Sequence, residues 1–148
     1  MPHVVTTRSV RHSAEQMFEL VADIERYPEF VPMCERLSVR RRTTGVNGSE
    51  VLLADMAIGY KMIRENFTSR VALDRPGLKI LVEYVDGPFS HLENRWIFKP
   101  TEAGCDVVFD IDYAFRSRTF QMLVGAVFET VFRKMAEAFE TRADAIYR

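Results

Sequence analysis

DVVFDIDYAFRSRTFQMLVGAVFETVFRKMAEAFETRADAIY, residues 106–147, changes period partway along. Val107, Phe109, Ile111, Tyr113 and Phe115 fall on one side of an alternating run and Asp106, Asp110 and Asp112 on the other, which predicts a strand with one dry and one wet face. From Ser117 to Tyr147 there is no proline. Phe120, Leu123, Val124, Val127, Phe128, Val131, Phe132, Met135, Phe139 and Ile146 recur there at three- and four-residue spacing, predicting one long amphipathic helix. No other segment has an apolar stripe large enough to cover the dry face of a sheet. The two halves of this stretch therefore predict a two-layer α+β domain in which a curved sheet grips the final helix.

Working back from residue 115 to 35, strand-like runs are separated by turn signals at Gly45-Val46-Asn47-Gly48, Gly59, Asp74-Arg75-Pro76-Gly77, Asp86-Gly87-Pro88 and Glu102-Ala103-Gly104. About six consecutive strands in hairpin order result. Leu52, Ala54, Met56 and Ile58 share one face of their strand, and Leu78, Ile80, Val82 and Tyr84 another; Leu92, Trp96 and Phe98 share a third, so the sheet is antiparallel and half-buried. Residues 3–10, HVVTTRSV, predict an opening strand, and Ser13 followed by Gln16 starts a capped helix with Met17, Leu20, Val21 and Ile24 on one face. Pro28 and Pro32 interrupt that pattern and leave a short aromatic segment.

The 148 residues match one domain, 1–148, and no repeat or linker divides them. With 47% hydrophobic and 28% charged residues the chain is not globally disordered. Twenty Lys and Arg against 21 Asp and Glu give a net charge of −1, so no global field draws it to DNA. Cys34 and Cys105 have neither disulfide-framework nor zinc spacing, which fits a reducing cytoplasm. No apolar run is long enough to span a membrane. The 11 Phe outnumber five Tyr and one Trp, a bias toward large apolar area without a polar handle.

Two motifs carry a resemblance over nearly the whole chain: Asp23-Ile24-Glu25-Arg26-Tyr27-Pro28-Glu29-Phe30-Val31-Pro32-Met33-Cys34, and Asp86-Gly87-Pro88-Phe89 followed by Leu92 and Trp96-Ile97-Phe98. They resemble the coenzyme Q-binding branch of START-like (polyketide cyclase and lipid-transfer related) domains, a branch that includes the bacterial ribosome association toxin. Met33 departs from the pattern, since many relatives carry Trp before the cysteine. The resemblance implies a helix-grip fold of six to seven antiparallel strands, with two short helices after the first strand. It also implies non-enzymatic binding of ubiquinone or a similar isoprenoid lipid between sheet and helix, in support of respiration. No cofactor beyond that ligand is implied. A second implied role is binding the large ribosomal subunit and blocking subunit joining. The expected location is the cytoplasm, with contact at the inner-membrane surface for quinone exchange.

The candidate ligand-binding residues are Tyr27, Phe30, Val31, Phe89, Leu92, Trp96, Phe109, Val124, Val127, Phe128 and Val131. The same Phe-rich stripe also reads as plain core, and Tyr27 to Pro32 as a stiff connector rather than a gate. Trp96 has an indole N–H that needs a partner when buried and is a candidate donor to a quinone carbonyl, with Asn94 on the same face. Gly125 offers close approach of a ligand or of the sheet, and reads equally as a tolerated surface glycine. Glu65, on the face of Ile63, Phe67 and Val71, is a candidate buried acid for cyclase-like chemistry, although a rim carboxylate explains it as well. His3, His12 and His91 form no metal spacing, and no nucleophile motif occurs. Arg36, Arg40, Arg41 and Arg42 form a dense basic run. Arg36, Arg40 and Arg42 are expected on one strand face, available to ribosomal RNA or anionic lipid unless they are a solvated edge.

Overall fold

The computed structural model describes residues 2–147. Seven strands, β1 (His3–Val10), β2 (Cys34–Thr44), β3 (Glu50–Tyr60), β4 (Ile63–Asp74), β5 (Lys79–Asp86), β6 (Phe89–Pro100) and β7 (Cys105–Phe115), form one antiparallel sheet in the order β1-β7-β6-β5-β4-β3-β2. Only β1 leaves hairpin order, because α1 (Ala14–Ala22) and a 3₁₀ segment (Ile24–Glu29) carry the chain from one edge of the sheet to the other. The capping box at the start of α1 is formed: the Ser13 hydroxyl accepts from Gln16 N, and the Gln16 side chain accepts from Ser13 N.

Alternation along the strands places Val107, Phe109, Ile111, Tyr113 and Phe115 in the core on the concave face. The convex face is wet and ion-paired, with Arg70 on Glu83 at 3.0 Å and His3 on Asp110 at 2.7 Å. Bulges in β2, at the end of β5 and at the start of β6 interrupt the ladder and bend the strands around the helices. Gly87 allows the β5–β6 turn to close against β4. Its φ is +144°, and a Cβ there would stand 2.5 Å from Phe67 Cβ.

The expected single C-terminal helix is two: α2 (Arg118–Arg133) and α3 (Met135–Ile146), separated at Lys134. No proline or glycine stands at the break. The Lys134 N–H is shared between the carbonyls of Thr130 and Val131, and the Thr130 hydroxyl donates back to Ala126 O, a contact that bends helices. The bend keeps both halves on the curved sheet, Val124 and Phe128 buried at one end and Ala136, Phe139 and Ala143 at the other.

Candidate functional site

The helices cover the concave face unequally. At one end α1 packs solidly on the sheet, with Phe18 edge-on to Phe98 at 5.8 Å, and Phe139 of α3 meets Trp96 edge-on at 5.1 Å where that packing borders the cavity. Toward the other end, between α2 and strands β3 to β7, a cavity of about 140 Å³ remains. Ala54, Met56 and Ile58 of β3, Phe67, Ser69 and Val71 of β4, and Ile80 and Val82 of β5 form its floor. Phe128, Val131 and Phe132 of α2 form its roof, and Tyr27, Val31, Met33 and Cys34 close one side. That volume resembles a dry, apolar cavity of about 150 Å³ known to accept benzene, so it holds one ring and little more. Among the described residues, no Asp, Glu, Lys, Arg or His lines it.

Of the eleven candidate residues, Tyr27, Val31, Phe89, Leu92, Trp96, Phe109, Phe128 and Val131 stand on the cavity wall. Phe89 is at the centre of the aromatic cluster: it is 1% exposed, stacked on Phe115 at 4.9 Å and edge-on to Phe67 at 5.6 Å. The other three lie elsewhere. Phe30 faces a neighbouring groove with Lys134 and Arg142, its ring under the Arg142 guanidinium at 5.0 Å. Val124 is buried in packing away from the cavity wall, and Val127 is half-exposed one position before Phe128.

The indole N–H of Trp96 does not point a free donor at a ligand. It donates to Asn94 Oδ1 at 2.9 Å, and Asn94 Nδ2 donates to Asp110 O at 3.0 Å, so both side chains are committed within the sheet. Glu65 is half-buried opposite Ile58 and does not line the cavity, which removes it as an acid for that site. The space above Gly125 is filled by the Gln121 side chain, whose Nε2 would stand 2.1 Å from an added Cβ, so neither ligand nor sheet uses that glycine.

The Tyr27 hydroxyl donates to Val21 O, which anchors the 3₁₀ segment to α1, and loss of water pushes its phenol pKa up. Burial likewise pushes the Cys34 thiol up to about 11, so it stands on the wall as an inert, uncharged group. Ser69, Met56, Ile58, Phe132 and Met135 are wall residues the sequence reading did not select. Ser69 shares its face with Phe67 and Val71 by simple alternation, and Phe132 and Met135 belong to the same helical stripe as Phe128.

The basic run is divided by its own bulge. Val39 pairs with Ala54 and Arg41 with Leu53, which leaves Arg40 as the extra residue and reverses the facing of all that follow. Arg42 therefore sides with Leu52, away from Arg36, and donates to Glu50 at 2.9 Å and Glu25 at 3.3 Å. Arg40 is held by Asp55 at 2.5 Å. Arg36 and Arg41 are exposed and, among the described residues, form no ion pair.

Residues 10–140 match the family model described as polyketide cyclase / dehydrase and lipid transport. The chain is 33% identical over 148 residues to the ribosome association toxin RatA of Escherichia coli K12, covering 99% of this chain and 90% of the relative. It is 32% identical over 140 residues to the mitochondrial coenzyme Q-binding protein COQ10 homolog B of Xenopus laevis, covering 91% of this chain and 55% of that one. The solution structure of an 18 kDa protein from Caulobacter crescentus superposes with a TM-score of 0.81 at 30% identity over 99% of both chains. With the seven-stranded sheet wrapped on its C-terminal helices, these similarities establish that the chain belongs to the polyketide cyclase / dehydrase and lipid transport family, with a START-like helix-grip fold.

Proposed function

We propose that this protein binds ubiquinone or a similar isoprenoid lipid without transforming it, taking the ring into the cavity under α2 and acting as a carrier or chaperone for it. The observation that carries this reading is a cavity walled by aliphatic and aromatic side chains with no charged group among its lining residues. Apolar burial supplies the affinity, at about 25 cal/mol per Å² removed from water. A cavity of about 140 Å³ is smaller than the roughly 300–1,000 Å³ of sites that enclose a whole ligand. The isoprenoid tail therefore leaves the cavity or displaces α2 as it enters, and exchange with a membrane follows from that partial enclosure. Similarity to a coenzyme Q-binding protein supports the ligand class.

Solvent extraction of the purified protein, with mass spectrometry of released lipids against a ligand-free control protein, tests the reading. Near-stoichiometric quinone is expected. Its absence, with no uptake of added quinone, removes the proposal.

A second reading, contact with the large ribosomal subunit, is favoured by Arg36 and Arg41, exposed and without an ion pair among the described residues, on the edge strand β2 and by the similarity to a ribosome association toxin. Overproduction would then reduce joined ribosomes in sucrose gradients, and replacing both arginines by Gln would restore them. Unaltered gradients remove it.

A further inference from the structure

The apolar cavity has one polar spot whose hydrogen-bonding capacity is unspent. Every other polar side chain on the wall is committed: Tyr27 to Val21 O, Cys34 weakly to Arg36 O at 3.8 Å, Trp96 to Asn94, and Asn94 to Asp110 O. Ser69 is not. It is only 7% exposed and stands on the wall between Phe67 and Val71, with no side-chain partner among the described residues. The adjacent Thr68 hydroxyl turns the other way and donates to Asp55 Oδ1 at 2.6 Å.

Directly opposite Ser69 on β5 is Tyr84, packed edge-on to the wall residue Phe89 at 5.7 Å. Its hydroxyl is buried without a hydrogen-bond partner among the described residues. The β4–β5 bulge falls at this point in the ladder, where Thr68 pairs with Asp86 and Ser69 with Tyr84. Such an interruption re-aims side chains. An unpartnered Tyr84 hydroxyl is a destabilising feature of an empty protein, since a buried group left unpaired carries its desolvation penalty, and the Ser69 hydroxyl stands across the rung from it on the cavity wall.

We propose that Ser69 is the head-group site of the cavity and donates a hydrogen bond to a carbonyl oxygen on an uncharged ring, with Tyr84 standing behind the wall on the same rung. This assignment rests on the reading of the cavity as a lipid site and adds the chemistry the ligand must have. A charged head group is excluded by the wall itself, because a carboxylate or phosphate would enter without a cation to meet it. A pure hydrocarbon would leave the Ser69 hydroxyl unpaired. The ring-sized volume and the uncommitted hydroxyl select a neutral ring ketone with an apolar tail.

The test titrates the ligand-free full chain with a short-chain ubiquinone, an isoprenoid hydrocarbon of equal length and a fatty acid of equal length, following Trp96 fluorescence. Ser69→Ala and Tyr84→Phe are measured beside the unaltered protein, and their folding is checked by thermal melting. The unaltered protein is expected to prefer the quinone to the fatty acid by at least about tenfold. Ser69→Ala is expected to weaken quinone binding about five- to tenfold, the worth of one neutral hydrogen bond, while hydrocarbon binding stays unchanged. Tyr84→Phe is expected to melt no lower than the unaltered protein when ligand-free, since an unpaired hydroxyl is removed. Quinone affinity unchanged in a folded Ser69→Ala protein overturns the head-group assignment and leaves the cavity reading standing. Fatty acid binding as tight as quinone overturns the selection for a neutral head group. No binding of any probe by the unaltered protein overturns the cavity reading and this assignment with it.

Discussion

The two halves of the C-terminal helical segment read alike in sequence and do different work in the fold. α3 is fixed: Ala136, Phe139 and Ala143 are each at most 2% exposed, and Arg8–Glu140, His12–Asp144 at 2.7 Å and Arg142–Glu29 at 2.6 Å tie it and its neighbours together. α2 carries one internal pair, Arg133–Glu129, among the described residues, roofs the cavity with Phe128, Val131 and Phe132, and leaves Met122 and Leu123 exposed. The difference teaches that an apolar stripe specifies which side of a helix faces inward and not how tightly the partner surface fills. Close packing beneath the body of α3, whose Met135 and Phe139 form the cavity's near edge, and incomplete packing beneath α2 follow from what stands opposite: α1 with Phe18 on one side, a bare floor from Met56 to Val82 on the other.

Phe139→Ala should break the fixed half. Its ring is fully buried and meets Trp96, Tyr27 and Phe30 edge-on between 5.1 and 5.3 Å. Urea unfolding should register a loss of about 3–5 kcal/mol, as for other buried aromatic truncations. A loss under about 1 kcal/mol would mean that α3 is no better packed than α2. Val131→Phe should act on the roof alone. The added ring fills space that is already empty, so stability should change by less than about 1 kcal/mol while quinone uptake falls at least about tenfold. Val127→Asn is the matched control on the same helix. Its side chain is half-exposed and off the cavity wall, so uptake and stability should both move by less than about 0.5 kcal/mol. Equal effects at positions 127 and 131 would place the ligand elsewhere.

Acid should loosen the tied half first. The Arg142 and Arg26 guanidinium groups hold the Glu29 carboxyl below its ordinary value of 4.5, so its pairing is fully present above that value and is lost as pH falls through the lowered one. Hydrogen exchange followed from neutral pH to below 4 should show α3 losing protection relative to α2 over that interval. An Arg142→Gln protein should lose that difference.

Much of this was legible in the residues. The strand count, the capped first helix and the concave face were all readable from alternation and turn chemistry, because each depends on neighbours in sequence. The cavity was not, because a wall residue and a core residue obey the same period: Phe128 and Val124 differ only in what lies across from them. The facing of Arg42 required knowing that Arg40 is an extra residue in the ladder, and bulges leave no mark in the hydrophobic pattern here. The commitment of the Trp96 donor to Asn94 was within reach, since the two are neighbours on one strand face, but a choice between that partner and a ligand needs the geometry. Phe30 was drawn away from the cavity by Arg142, a residue 112 positions later whose guanidinium lies over its ring.

Hydrogen exchange of the ligand-free protein with and without a short-chain ubiquinone tests the central claim most directly, because it reports binding and its place at once. Slower exchange in α2, in the start of α3 through Phe139 and along β4 to β6, with the far end of α3 unchanged, is the predicted result. No change anywhere, or a change confined to the β2 edge around Arg36 and Arg41, would contradict it.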